Sequence, residues 1–183
     1  MAGYMMNRLS ISAFQTELKS SLPKSTAREK HIWAAIIIER GFEIKTLSAL
    51  LLCEKEVALP FSWLLSDIGI LRPDTLLKDL PYLFELSDKV RHFNFKLSFA
   101  SYWRLCGVPP ENEAEAIDLL FEWLRSPGVN VTTKSRASFV LLNLTKKYPE
   151  LKDELKISLQ EQMEHQTKDF RKRAEKIIAE LDR

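Results

Sequence analysis

Apolar residues recur along this chain at intervals of three and four, the spacing that lines one face of an α-helix. Leu9, Ile11, Phe14, Leu18 and Leu22 predict a helix over about 8–21, ended by Pro23. Thr26, with Glu29 three residues on, forms a capping box. It opens a helix running to about Arg40 with Ile32, Trp33, Ile36 and Ile37, and Gly41 supplies its left-handed stop. A third helix is expected over about 43–54 on Ile44, Leu47, Leu50, Leu51 and Leu52. A fourth runs from near Val57 to about Gly69, with Pro60 tolerated in its first turn. Pro73-Asp74 opens the stripe Leu76, Leu77, Leu80, Leu83 and Phe84, which Pro81 should kink or split. Phe93, Leu97, Phe99, Ala100 and Trp103 predict a helix over about 90–105, ended by Gly107.

Pro109-Pro110 marks a turn, and Asn112 with Glu115 reads as a second capping box ahead of Ile117, Leu120, Phe121 and Leu124. Pro127-Gly128 breaks the chain, and the weak alternation at Val129–Thr132 reads as a loop. Three helices follow, over about 131–147, 150–165 and 168–182, the middle one marked by Leu151, Leu155, Leu159 and Met163. The pattern predicts about ten helices, no strand and an all-α fold. No Pro/Gly/Ser-rich linker interrupts it, so one domain over 1–183 is expected.

The chain also repeats itself. Lys134, Arg136, Ala137, Leu141 and Leu144 recur 37 residues later as Arg171, Arg173, Ala174, Ile178 and Leu181. Turns at Gly41, Pro73, Pro109 and Pro149 fall at comparable intervals. A period of this size speaks for helix–turn–helix units that bury their apolar faces only by stacking on neighbours. The pattern of a basic residue, then Ala, then Leu or Ile, at Thr133-Lys134…Ala137…Leu141 and Phe170-Arg171…Ala174…Ile178, resembles the first helix of a repeat in the HEAT/armadillo superfamily. The resemblance is carried by about 128–183 and fades upstream. Thr133 departs from the usual apolar residue, and the register of Arg28 and Lys30 ahead of Trp33 is imprecise. It implies a right-handed α-α superhelix of about four to five stacked hairpins, like small single-domain bacterial HEAT-like proteins without an assigned chemistry.

Composition adds little. Five Gly and eight Pro are too few for the turns of an all-β fold, and a net charge of +2 declares no partner. The charge is uneven, however: residues 110–125 carry five acids against one base, and 128–183 carry 12 Lys/Arg against 9 Asp/Glu. Cys53 and Cys106 have no metal-ligand spacing and read as small buried hydrophobes in a reducing compartment. Residues 1–8 show no long apolar core of a signal peptide, and no run approaches the length of a membrane span. A cytoplasmic protein with no membrane partner is expected.

Candidate chemistry is sparse. His31, His92 and His165 stand apart from other ligand types, no Gly-rich phosphate loop occurs, and no nucleophile motif is present. No metal, cofactor or catalytic residue is therefore expected. Ser20-Ser21-Leu22-Pro23-Lys24 echoes a loop of the fumarase/adenylosuccinate lyase superfamily, but the Gly, Met and Asn of that loop are missing, so no lyase chemistry is expected. Repeated positions stack in space, so Lys134, Arg136, Arg171 and Arg173 should form a basic ladder. Such a ladder either pairs with acids on neighbouring helices or presents a stripe to an acidic peptide or nucleic acid. One family of alkyl-base DNA glycosylases is built from HEAT-like repeats. By that likeness Trp63 and Asp67, four apart on one helix face, are an alternative cleft, with Arg91, Lys96, Arg136 and Arg173 as phosphate contacts. Against this, Trp33, Trp63, Trp103 and Trp123 each sit in an apolar stripe and are expected in the core. The leading expectation is a non-enzymatic scaffold or protein-interaction module whose partner is another protein; nucleic acid is the alternative partner.

Overall fold

The computed structural model describes residues 10–183, so Leu9 and the leader reading of 1–8 lie outside the described residues. Among the described residues there are eleven α-helices, five short 3-10 segments and no strand. The all-α expectation holds for them. No helix there is long and apolar enough to cross a membrane. The chain divides into two compact units, Met1–Lys96 and Leu97–Arg183. The division falls in the 3-10 segment Phe95–Ser98, without the Pro/Gly/Ser-rich composition by which a sequence announces a boundary.

The first unit holds α1 (Ile11–Ser21), α2 (Ala27–Glu39), α3 (Ile44–Leu47), α4 (Lys55–Leu71), α5 (Pro73–Leu77) and α6 (Leu80–Leu86). Ser10 caps α1 by accepting from the Ala13 amide. The Thr26 capping box forms in both directions: its hydroxyl accepts from the Glu29 amide, and Glu29 accepts from the Thr26 amide. Gly41, at φ 65°, ends α2; its amide donates to Ile38 and the next amide, Phe42, reaches back to Ile37. That pairing satisfies carbonyls a helix end otherwise leaves bare. At the centre lies α4, packed by α2, α5 and the 3-10 segment Ser48–Leu52. Its Phe61, Leu64, Leu65 and Ile68 are fully buried, each contributing roughly 1.5–3 kcal/mol of transfer free energy.

The second unit holds α7 (Phe99–Cys106), α8 (Glu113–Arg125), α9 (Val131–Leu144), α10 (Leu151–Met163) and α11 (Lys168–Leu181). Here α9 is the hub and packs against all four of the others. Three ion pairs join these elements: Arg125 of α8 to Glu154 of α10, Lys156 of α10 to Asp182 just past α11, and Lys147 to Glu113 at the start of α8.

Several elements differ from the pattern-based reading. The helix expected over 43–54 is one turn of α3 followed by 3-10 backbone. Thr46 and Ser48 donate their hydroxyls to the carbonyls of Glu43 and Lys45, three residues back, and so compete with regular α bonding. Helix α4 starts before Val57, carries Pro60 in its interior, and runs past Gly69 to Leu71. Pro81 does split its stripe, into α5 and α6. The helix expected from 90 begins only at Phe99. Val90 is buried in extended backbone, and the rings of Phe93 and Phe95 meet edge to face at 5.9 Å. Residues two apart on a helix do not face each other, so this contact excludes helix there. Asn112 does not cap α8: it has helical φ/ψ at the end of a 3-10 turn and makes no side-chain cap bond. Val131 and Thr132, read as loop, open α9, capped by Asn130, whose side chain accepts from Thr133. Cys53 and Cys106 are half-buried rather than fully buried, and no disulfide joins them.

In place of the missing Asn112 cap, Glu113 takes hydrogen bonds from both Lys147 and the Tyr148 hydroxyl. These bonds hold its carboxyl below the ordinary glutamate range. A depressed carboxyl pKa stabilises the fold above the unfolded value of about 4.3 and loses that contribution as pH falls through the folded value. Glu113→Gln should therefore be less stable than the parent chain at pH 7, and the two should converge as the pH is lowered below about 4. Urea unfolding at stepped pH measures this; a gap that stays constant with pH contradicts it.

Candidate functional site

Two faces of the second unit's helices meet around one concavity of about 590 Å³. On α9, Thr132, Ser135, Arg136, Phe139 and Leu142 follow the three-and-four spacing of one helix face and form its floor. On α11, Arg173, Ile177 and Glu180 do the same for one wall. Arg104 of α7 supplies the other wall, its guanidinium carbon 5.5 Å from the centre of the Phe139 ring. The opposite side of α9 is buried through Ala137, Ser138 and Leu141, which fixes the outward direction of the Arg136 face.

The electrostatics of this recess are unbalanced. Three guanidiniums line it against one carboxylate, Glu180. Among the described residues, none of the three arginines forms an ion pair with a carboxylate. Burial, and then repulsion from Arg104, push the Arg136 pKa below the ordinary arginine value. Phe139 stays 41% exposed beside them. A second, smaller concavity of about 230 Å³ shares Leu142 and Glu180 with the first and adds Lys146 and Lys152. The surface can therefore hold a row of negative groups, with apolar contacts at Phe139 and Ile177.

The expected ladder is thus split. Arg136 and Arg173, one repeat apart, do come together in the recess. Arg171 is exposed and lines neither concavity. Lys134 corrects the expectation outright: it is 1% exposed, and its ammonium donates to Gln162 of α10. The carboxylate pairs that tie the helices together are made by Arg125, Lys147 and Lys156 instead. Sequence reasoning missed Arg104 and Phe139. Arg104 lies outside the 37-residue repeat, and Phe139 reads as one more core aromatic in an apolar run.

The tryptophans divide as well. Trp103 and Trp123 are buried and stacked at 6.0 Å, as expected of core residues. Trp33 is half-buried, its ring 5.7 Å from that of Phe14. Trp63 is not in the core: it is 52% exposed, with the Lys30 ammonium 5.5 Å from its ring centre. Asp67, one turn on, is half-buried, and burial raises its pKa against the opposing pull of His31 and Lys30. Lys96, expected on phosphate, is instead engaged by Asp88 at 3.0 Å; Arg91 is exposed and lines a separate recess with His92, Lys89 and Leu52. Ser20, Ser21 and Lys24 line another recess, beside Ile32 and Trp33. Among the described residues no three His, Cys, Asp or Glu side chains gather as a metal site.

Lys134 yields a test of its own. Burial lowers its pKa, so the unfolded chain binds that proton more tightly than the folded one does. Lys134→Met removes the desolvation penalty and should change stability by less than about 1 kcal/mol in either direction. Gln162→Leu leaves the ammonium without its partner and should cost about 1–3 kcal/mol. Chemical denaturation of both variants checks this asymmetry; equal losses contradict it. No family model matches this chain, and neither a curated protein nor a solved structure matches it.

Proposed function

We propose that this chain is a non-enzymatic interaction module of the HEAT-like class, an α-α superhelix that binds an acidic segment of a partner protein in its arginine-lined recess. One observation carries the reading: Arg104, Arg136 and Arg173 share one concavity, and among the described residues no carboxylate forms an ion pair with any of them. Three like charges gathered around a single carboxylate, Glu180, repel one another in the folded state, so their grouping favours a binding role over a structural one. The adjoining Lys146 and Lys152 extend the positive surface beyond the recess. The HEAT-like architecture is supported by the convergence of Arg136 and Arg173 and by the paired burial of Ala137 and Ala174. Two half-buried cysteines with no disulfide between them fit a reducing cytoplasm.

Charge reversal separates binding from folding. The double variant Arg136→Glu/Arg173→Glu should bind a fluorescent Asp/Glu-rich peptide at least about tenfold more weakly, since hydrogen bonds to charged groups are each worth about 1.5–3 kcal/mol. Its melting temperature should not fall, because the substitution relieves repulsion. Unchanged affinity, or no binding by the parent chain, sinks the reading.

A second reading rests on Trp63, the exposed indole flanked by Lys30 and Asp67 in the first unit. An exposed ring beside a cation suits stacking of nucleic-acid bases, as in a DNA-binding protein or base-excision glycosylase. On it, duplex or single-stranded DNA binds at low salt, weakens steeply as salt rises, and loses about 1–3 kcal/mol of binding free energy on Trp63→Ala. Titration at two salt concentrations decides: absence of low-salt binding removes this reading.

A further inference from the structure

We infer that the negative group seated between Arg104, Arg136 and Arg173 is a phosphate monoester carried on a side chain of the protein partner. This deepens the acidic-segment reading and rests on it. The first argument is charge. Three guanidiniums against Glu180 leave an excess of two positive charges in the recess. A phosphate monoester carries about −1.5 to −2 at neutral pH, whereas a single Asp or Glu neutralises only half of that excess.

The second argument is donor geometry. Each guanidinium presents a planar fork of N–H donors, and a phosphate offers three terminal oxygens in different directions. The arginines come from three different helices, α7, α9 and α11, and donors from three elements suit a tetrahedral group better than a planar carboxylate. Ser135 and Thr132 add hydroxyl donors on the α9 floor. The third is the apolar lining. Phe139 lies beside the arginines with 41% of its surface open, ready for the carbon body that bears the phosphate. A recess of about 590 Å³ is the size of a pocket for one side chain or small ligand. Its concavity favours a projecting phosphorylated residue over the flat plane of lipid headgroups. Arg136 is held half-buried against the repulsion of Arg104, a cost that a dianion relieves.

The test uses the full chain and two fluorescent peptides of one acidic sequence, with phosphotyrosine or Glu at the central position. Anisotropy should show the phosphopeptide binding at least about tenfold more tightly than the Glu peptide. Phenyl phosphate should compete for the site. Arg136→Gln, which keeps the fold as judged by melting temperature, should abolish the preference between the peptides. Equal affinity of the two peptides overturns the phosphate inference and leaves the acidic-segment reading standing. Binding of neither overturns both. Arg136-dependent binding to phosphatidic acid vesicles in preference to the phosphopeptide also overturns it, by assigning the phosphate to a lipid. Competition by phenyl phosphate without any preference between peptides reduces the site to a free-anion site and counts against the inference.

Discussion

Helix α9 has to be covered on nearly every side. Ala137, Val140, Leu141, Leu142 and Leu144 are buried, and even Thr133, Lys134 and Ser138 lose their solvent. A short helix with so little polar circumference is stable in water only when its neighbours enclose it. The four other helices of its unit do so, and Ala137 is fully buried. On the recess side Thr132 and Phe139 stay exposed and Ser135 and Arg136 half-buried, and they mark where the enclosure stops. The recess is the gap in the packing around α9, and its position follows from which faces the neighbours occupy.

Cations in this unit serve two separate ends. Arg125 reaches both Ser158 and Glu154, and Lys147 and Lys156 find carboxylates on other elements. Those contacts use up local charge. Arg104, Arg136 and Arg173 line the recess with Glu180 as its one carboxylate, and among the described residues none of the three forms an ion pair. Lys134 is a third case. Burial deprives it of solvent, and a neutral amide oxygen, rather than an acid, accepts its hydrogen bond. Identity as Lys or Arg therefore says little here; the neighbouring helix decides which role each takes.

Much of the fold is legible without coordinates. Capping residues and turn glycines act through local backbone bonds, so Thr26, Gly41 and Gly107 read correctly from a few neighbours. The last three helices are equally plain, because their stripes and breaks agree. Failures occur where side chains overrule pattern. Thr46 and Ser48 convert a helix into 3-10 backbone, and contact between Phe93 and Phe95 holds a turn inside an apolar run. At the site, the repeat identified Arg136 and Arg173, because equal repeat positions point in equal directions. It misplaced Lys134: the equivalent Arg171 is exposed, but α10 lies over the lysine. Nor does apolar periodicity tell an inner aromatic from an outer one, so Trp63 and Phe139 needed the packing to be seen.

The same repeat that pairs Arg136 with Arg173 also sets their phase. Both project into the recess only because each stands at a matching angle on its own helix. Successive residues turn by about 100° around a helix axis. One residue added within α11 ahead of Arg173 would swing the guanidinium away from Arg136, even if every other side chain were retained. The pairing of the two arginines thus depends on helical phase as much as on residue identity, and Arg104, which lies outside the 37-residue spacing, reaches the same recess from α7.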